Sequence, residues 1–209
     1  MSLSRRQHWE QVYRDKGTRE VSWYQPRPEI SLELIRRADC GRDLPLIDIG
    51  GGASTLVDWL LEAGYRDLSV LDIAEPALQA AQQRLGARAA DVDWIRADIT
   101  EFAPTRQYCL WHDRAVFHFL TGAAEQAAYV SALHAGLQVG GYLVIGAFSF
   151  DGPQMCSGLP VRRYDAGLMS QTLGDGFELL GSREEEHRTP AGKKQQFCFY
   201  LYAYRGGAG

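Results

Sequence analysis

The chain has 209 residues, of which 45% are hydrophobic, 23% charged and 11% aromatic, and its 22 lysines and arginines face 26 acids for a net charge of −4. That is the make-up of one folded globular domain, and it excludes a disordered, collagen-like or coiled-coil chain. The acidic balance gives no electrostatic basis for nonspecific nucleic-acid binding, so no nucleic-acid partner is expected.

In chain order, residues 4–16 place Trp9, Val12 and Tyr13 on one helical face, and Gly17 ends that helix. Pro26 and Pro28 break the chain before a helix over 29–38, which carries a Glu33–Arg37 pair four apart. A short apolar strand, 44–49, runs into Gly50-Gly51-Gly52 and a helix over 54–63 that stops at Gly64. A strand over 67–73, a helix over 75–85 and strands over 92–97 and 108–113 follow. A helix over 125–137 then leads through Gly140-Gly141 to a strand over 142–148. This alternation predicts an α/β fold with a parallel sheet and right-handed crossovers.

The last third breaks the rhythm. Residues 177–187 and 194–204 both read as strands, joined by Arg188-Thr189-Pro190-Ala191-Gly192, so they should be antiparallel neighbours. In the second of them Phe197, Phe199 and Leu201 alternate with Cys198, Tyr200 and Tyr202. Both faces are apolar, which places this strand inside the sheet. Residues 205–209 are expected to be a frayed tail.

The first residues lack the apolar core of a signal peptide, and the longest apolar stretch, 142–150, is too short to span a bilayer, so no membrane partner is expected. Cys40, Cys109, Cys156 and Cys198 are widely spaced without a C-x-x-C pair. They read as reduced thiols of a cytoplasmic protein, and no metal site is expected.

Four polar features follow four successive strands, where a parallel sheet binds its ligands. The first is the glycine turn after Asp48, which allows close approach of a ligand, or is simply a tight turn. The second is Asp72, 24 residues after Asp48, placed to accept two ribose hydroxyls or to cap the next helix. The third is Asp98, placed for an adenine amino group or for solvent. The fourth is the segment Trp111 to His118, in which His112 and His118 are either packed histidines or chemical ones.

In this order the features resemble class I S-adenosylmethionine-dependent methyltransferases, over roughly residues 5–204. Asp48-Ile49-Gly50-Gly51-Gly52 looks like the family's first motif, Asp72 like its ribose acid and Asp98-Ile99 like its adenine motif. The family's third glycine is replaced here by Ser54, and its Pro-Gly-Gly by Val139-Gly140-Gly141. The resemblance implies a Rossmann-like three-layer sandwich: a seven-stranded, mostly parallel sheet with an antiparallel last strand. It also implies one domain over 1–209, with residues 1–26 as an N-terminal helical lid.

The cofactor implied is S-adenosyl-L-methionine, with S-adenosyl-L-homocysteine as product. The resemblance assigns Gly50, Gly51 and Gly52 to the methionine part, Asp48 to its ammonium, and Asp72 to the ribose. It assigns Asp98, Ile99 and Ile73 to adenine, and Asp113 and Arg114 to the sulfonium side. Trp9, Tyr13, Trp23 and Tyr24 would close the lid, or pack the N-terminal helix. His118, then His112, are the candidates for a general base, and Asp113 is the other catalytic candidate. Arg162 and Arg163, in the long link 149–164, would bind an acidic acceptor or lie in solvent. His187-Arg188-Thr189 would reach the same rim.

A small molecule is the expected acceptor. The lid segments, His8-Trp9-Glu10 and Val21-Ser22-Trp23-Tyr24, are similar to a subgroup that includes protein-lysine methyltransferases, so a protein acceptor is the alternative. A cofactor-binding protein without turnover is a third reading. A nicotinamide oxidoreductase would need a third glycine where Thr55 stands.

Overall fold

The computed structural model describes residues 4–207. Five strands alternate with helices: β1 Leu46–Ile49, β2 Leu68–Asp72, β3 Val92–Arg96, β4 Tyr108–Arg114 and β5 Leu137–Phe148. β6 Phe177–Arg188 and β7 Lys194–Tyr204 form the terminal hairpin. The seven strands lie in the order β3-β2-β1-β4-β5-β7-β6. The first five pair in parallel, and β7 runs antiparallel to both its neighbours. β7 alone is therefore reversed, and it lies inside the sheet, as its two apolar faces require.

The helices α1 Arg5–Asp15, α2 Glu29–Ala38, α3 Leu56–Glu62, α4 Glu75–Leu85, α5 Ala123–Gly136 and α6 Ala166–Leu173 complete the chain. One core packs Leu34, Ile35, Leu56, Leu60 and Leu78 of α2–α4 against Phe197, Phe199 and Leu201 of β7. The other packs Tyr129, Leu133, Met169 and Leu173 of α5 and α6 against Trp111, Tyr200 and Tyr202. The two faces of β7 are read as the period-two pattern predicts. At the free edge β6 carries Arg183, Glu184, Glu185, Glu186 and Arg188, charges that discourage pairing with another chain.

Two expectations are corrected. The helix expected to run to Leu137 ends at Gly136, and the strand expected from Tyr142 begins at Leu137. The register slips between Tyr108↔Leu137 and Leu110↔Tyr142, so Gly140 (φ 84°) and Gly141 form a bulge inside the strand. α6 had no counterpart in the sequence reading. Asp165 caps it by accepting from the Leu168 amide at 2.7 Å, and Met169 and Leu173, four apart, are its buried face. Of the expected tail, Arg205 is tied to Glu178 at 2.6 Å, while residues 208–209 lie outside the described residues.

Candidate active site

The strand order reverses between β1 and β4, which opens a crevice at their carboxyl ends. Gly50 turns there with φ 66°, and its amide and that of Gly51 both donate to the Leu71 carbonyl, at 2.7 and 3.2 Å. A side chain has no room in this turn. A Cβ on Gly50 would stand 2.1 Å from Val116, one on Gly51 2.4 Å from the Asp48 carboxylate, and one on Gly52 2.3 Å from the Asp72 carboxylate.

Asp72 lines the cavity with Ile73, and its Oδ1 accepts the Ala74 amide at 2.8 Å, so it caps α4 as well. Burial, reinforced by the charge of Asp48, pushes its pKa up to about 7 against the pull of the Ala74 amide. Asp48 is held from behind. His112 Nδ1 meets its Oδ1 at 2.6 Å, and His112 Nε2 meets Ser31 Oγ at 2.8 Å, all three residues being buried. His112, the second base candidate, is thus committed to orienting a carboxylate.

Asp98 and Ile99 line the cavity beyond Ile73. Arg5 of α1 donates to both Asp98 oxygens at 2.9 Å, and Thr100 adds two bonds to Oδ1. Oδ2 keeps capacity for a further donor.

Asp113 departs from its expected place. It is fully buried and absent from the cavity wall; its carboxylate accepts from the amides of Val116 and Phe117 and from the Tyr129 hydroxyl at 2.8 Å. It shapes the turn that carries Ala115 (φ 71°) and Val116 against Gly50 instead of facing a ligand. Burial raises its pKa to about 6. Asp113→Ala should lower stability by about 2–4 kcal/mol in a denaturant titration, because it strands three buried donors.

Arg114 stands at the centre. Its Nη1 donates to the Trp23 carbonyl at 2.7 Å, and its guanidinium lies 5.1 Å over the Phe197 ring. His118 lines the same chamber, and burial and the Arg114 charge push its pKa down to about 3. Its Nδ1 accepts the Phe148 amide at 3.4 Å.

Above these groups lies the lid. Ser4 and Gln7 form a capping box that starts α1, and Trp9 stands edge-on to Phe119 and Trp23, with Tyr13 edge-on to Trp23. The strap that follows α1 is tied to the terminal hairpin. His187 donates to the Ser22 carbonyl at 2.7 Å, and Gln25 donates to Glu185 at 2.6 Å. The cavity beneath the lid measures about 90 Å³. A smaller lobe of about 30 Å³, bordered by Asp48, Gly51, Ser54, Tyr24 and His112, shares Trp23, Gly50 and Arg114 with it.

Arg162 and Arg163 do not reach this cavity. Arg162 donates to Gln126, and Arg163 to the carbonyls of Phe150 and Gly152. The cavity's cations are Arg114 and, at the Asp98 end, Arg5. The sequence reading also missed Phe119, Phe148, Glu185, Gln195 and Phe197. An amide at 195, two positions before Phe197 in an otherwise aromatic stripe, was the available signal.

Residues 46–141, which carry the glycine turn, Asp72, Asp98 and Asp113, match the family model described as a methyltransferase domain. Over that stretch, just under half of its length, the chain is similar to methyltransferases. The eEF1A lysine and N-terminal methyltransferase of Mus musculus is 27% identical to it over 94 residues, 45% of this chain. This chain spans only 13% of the length of that relative. A solved S-adenosylmethionine-dependent methyltransferase from Anabaena variabilis aligns over 98% of this chain and 96% of its own at 16% identity, with a TM-score of 0.75. The 1,6-didemethyltoxoflavin-N1-methyltransferase of Burkholderia thailandensis, solved with its substrate and S-adenosylhomocysteine, aligns over 94% of this chain and 81% of its own. Its identity is 20% and its TM-score 0.68.

The residues present fit S-adenosylmethionine, the cofactor that the resemblance implies. Gly50 borders both lobes and Gly51 the smaller one, with Gly52 buried against Asp72 behind them, and Asp72 is a buried carboxylate on the cavity wall with only its Oδ1 bonded to the Ala74 amide.

Proposed function

We propose that this protein is an S-adenosylmethionine-dependent methyltransferase that transfers the methyl group by in-line displacement to a small molecule held between lid and sheet. The observation that carries this reading is the closed chamber beyond the glycine turn, walled by Phe119, Phe148 and Phe197 and covered by Trp9 and Trp23. When bound, the cofactor supplies an electrophilic methyl on a positively charged sulfur.

The chain's residues do the holding. Gly50, Gly51 and Gly52 admit the methionine part. Asp48, oriented by His112, takes its ammonium. Asp72 takes the ribose, while Asp98, Ile99 and Ile73 take the adenine. Trp9, Tyr13 and Trp23 exclude water and offer aromatic edges and faces around the cationic centre. His118, neutral and with Nδ1 committed to the Phe148 amide, acts as a hydrogen-bond donor to the acceptor and not as its base. Residues 1–209 read as one domain with 1–26 as its lid. Four free thiols suit a reducing, cytoplasmic compartment.

A protein acceptor is the second reading, favoured by the curated relatives, which methylate lysine and N-termini. Calorimetric titration should give micromolar binding of S-adenosylhomocysteine and none of NAD. Methyl-labelled cofactor added to cell lysate should then leave its label in the small-molecule filtrate. Label retained on protein would favour the second reading. Cofactor binding with no transfer to either fraction would favour a binding protein without turnover.

A further inference from the structure

Unpartnered buried polar atoms gather in one part of this chamber. Among the described residues, His8 Nε2 on α1 and Arg114 Nε and Nη2, His118 Nε2, Glu185 Oε2 and Gln195 Oε1 lack hydrogen-bond partners. All but His8 surround Phe197. Arg114 lies over its ring, His118 stacks at 6.4 Å, Glu185 pairs with it across the hairpin, and Gln195 precedes it by two on the same face. A buried polar group without a partner is costly, so a cluster of them marks a place meant for a ligand.

Their hydrogen-bonding sense defines that ligand. Arg114 spends Nη1 on Trp23 and holds Glu185 Oε2 at 3.9 Å from Nη2 as an ion pair beyond hydrogen-bond reach, so the Nε–Nη2 edge has no hydrogen-bonded acceptor and offers a fork of two parallel donors that matches a carboxylate. His118 Nδ1 is an acceptor, so Nε2 carries the proton and is a third donor. Gln195 Oε1 is an acceptor, and Glu185 Oε2 stands 3.9 Å behind Arg114 Nη2. Phe148 and Phe197 supply flat apolar walls.

Resting on the methyltransferase reading, we propose that the acceptor is a small planar carboxylic acid bearing a hydroxyl or amino group. Its carboxylate seats on the Arg114 fork beside His118, and its hydroxyl or amino group donates to Gln195. A lysine side chain or an N-terminus would bring a second cation beside Arg114 and leave three donors unmet.

The cofactor's methionine end also carries a carboxylate, and Arg114 borders that lobe too. The experiment separates the two sources. Wild type, Arg114→Lys and Gln195→Leu, each checked by thermal melting, are titrated with S-adenosylhomocysteine and with 5′-methylthioadenosine, which lacks the amino acid part. 4-Hydroxybenzoate, anthranilate and 4-hydroxybenzylamine are then titrated with and without saturating S-adenosylhomocysteine.

At least one acid should bind, and the benzylamine should not. Each substitution should weaken that acid by about tenfold or more, while S-adenosylhomocysteine stays within about threefold. Three results overturn the proposal. Neither acid binds at millimolar concentration; or the amine binds as tightly; or Arg114→Lys weakens S-adenosylhomocysteine but neither methylthioadenosine nor the acid. If S-adenosylhomocysteine itself fails to bind, the methyltransferase reading falls. Arg114-dependent binding of an acid to the protein alone then still upholds the carboxylate seat, and its absence removes it.

Discussion

Asp72→Asn should melt higher than wild type at pH 8 and yet bind S-adenosylhomocysteine about a hundredfold more weakly. The loss follows from exchanging a buried charged acceptor of two ribose hydroxyls for a neutral amide. The gain follows from the pKa of the group. Folding raises it from an ordinary carboxylate value to about 7, so the native state holds its proton more tightly than the unfolded chain. The stability this gives is complete below about pH 4 and is lost as pH rises through about 7. At pH 8 the ionised carboxylate costs the cofactor-free protein about 2–4 kcal/mol, which asparagine does not incur. The difference in melting temperature between the two proteins should therefore open between pH 4 and 7 and level off above. Wild-type affinity should climb over the same window, and the variant's should not. Coincident melting curves at every pH would mean that Asp72 ionises as freely as a surface carboxylate.

Gly52→Ala should abolish measurable cofactor binding and cost about 2–4 kcal/mol of stability. Its Cβ would stand 2.3 Å from the Asp72 carboxylate and 2.9 Å from the Ala77 methyl, at a φ of 23° that side chains rarely adopt. The carboxylate must move, and with it the ribose acceptor. Gly86→Ala separates the steric from the conformational part. Gly86 also has a positive φ, 59°, but nothing lies within 4 Å of its Cβ position. It should cost only about 1 kcal/mol and leave binding unchanged. Equal loss of affinity in both would refute the cradle.

What could be read in the sequence was what depends on near neighbours. β2 and the helix from Glu75 to Leu85 were legible because an apolar run, Asp72 and a closing Gly86 are consecutive. The glycine turn and Asp72 were legible because a strand–helix–strand unit fixes their spacing. The bulge in β5 was not, because glycines before a strand and glycines within one look alike until register is known. Asp113 misled because a carboxylate at a strand end can point at a ligand or cap the turn beneath it. The chamber was hidden for a different reason. Arg114, His118, Glu185 and Gln195 come from segments some 70 residues apart that only the insertion of β7 beside β5 brings together.

The strap tied to the terminal hairpin sets the order in which the protein can become competent during synthesis. At about 5–20 residues per second, the ribosome releases β1 to β5, with the glycine turn and Asp72, several seconds before β7. Until then β5 is a bare sheet edge, and neither Phe197, Gln195 nor the anchors Glu185 and His187 exist to hold residues 22–25. A nascent chain can thus assemble its adenosyl half while its acceptor half is still unmade. Arrest before residue 194 would leave a fragment that carries the glycine turn and Asp72 beside an open chamber, which the eleven-residue strand β7 then walls in.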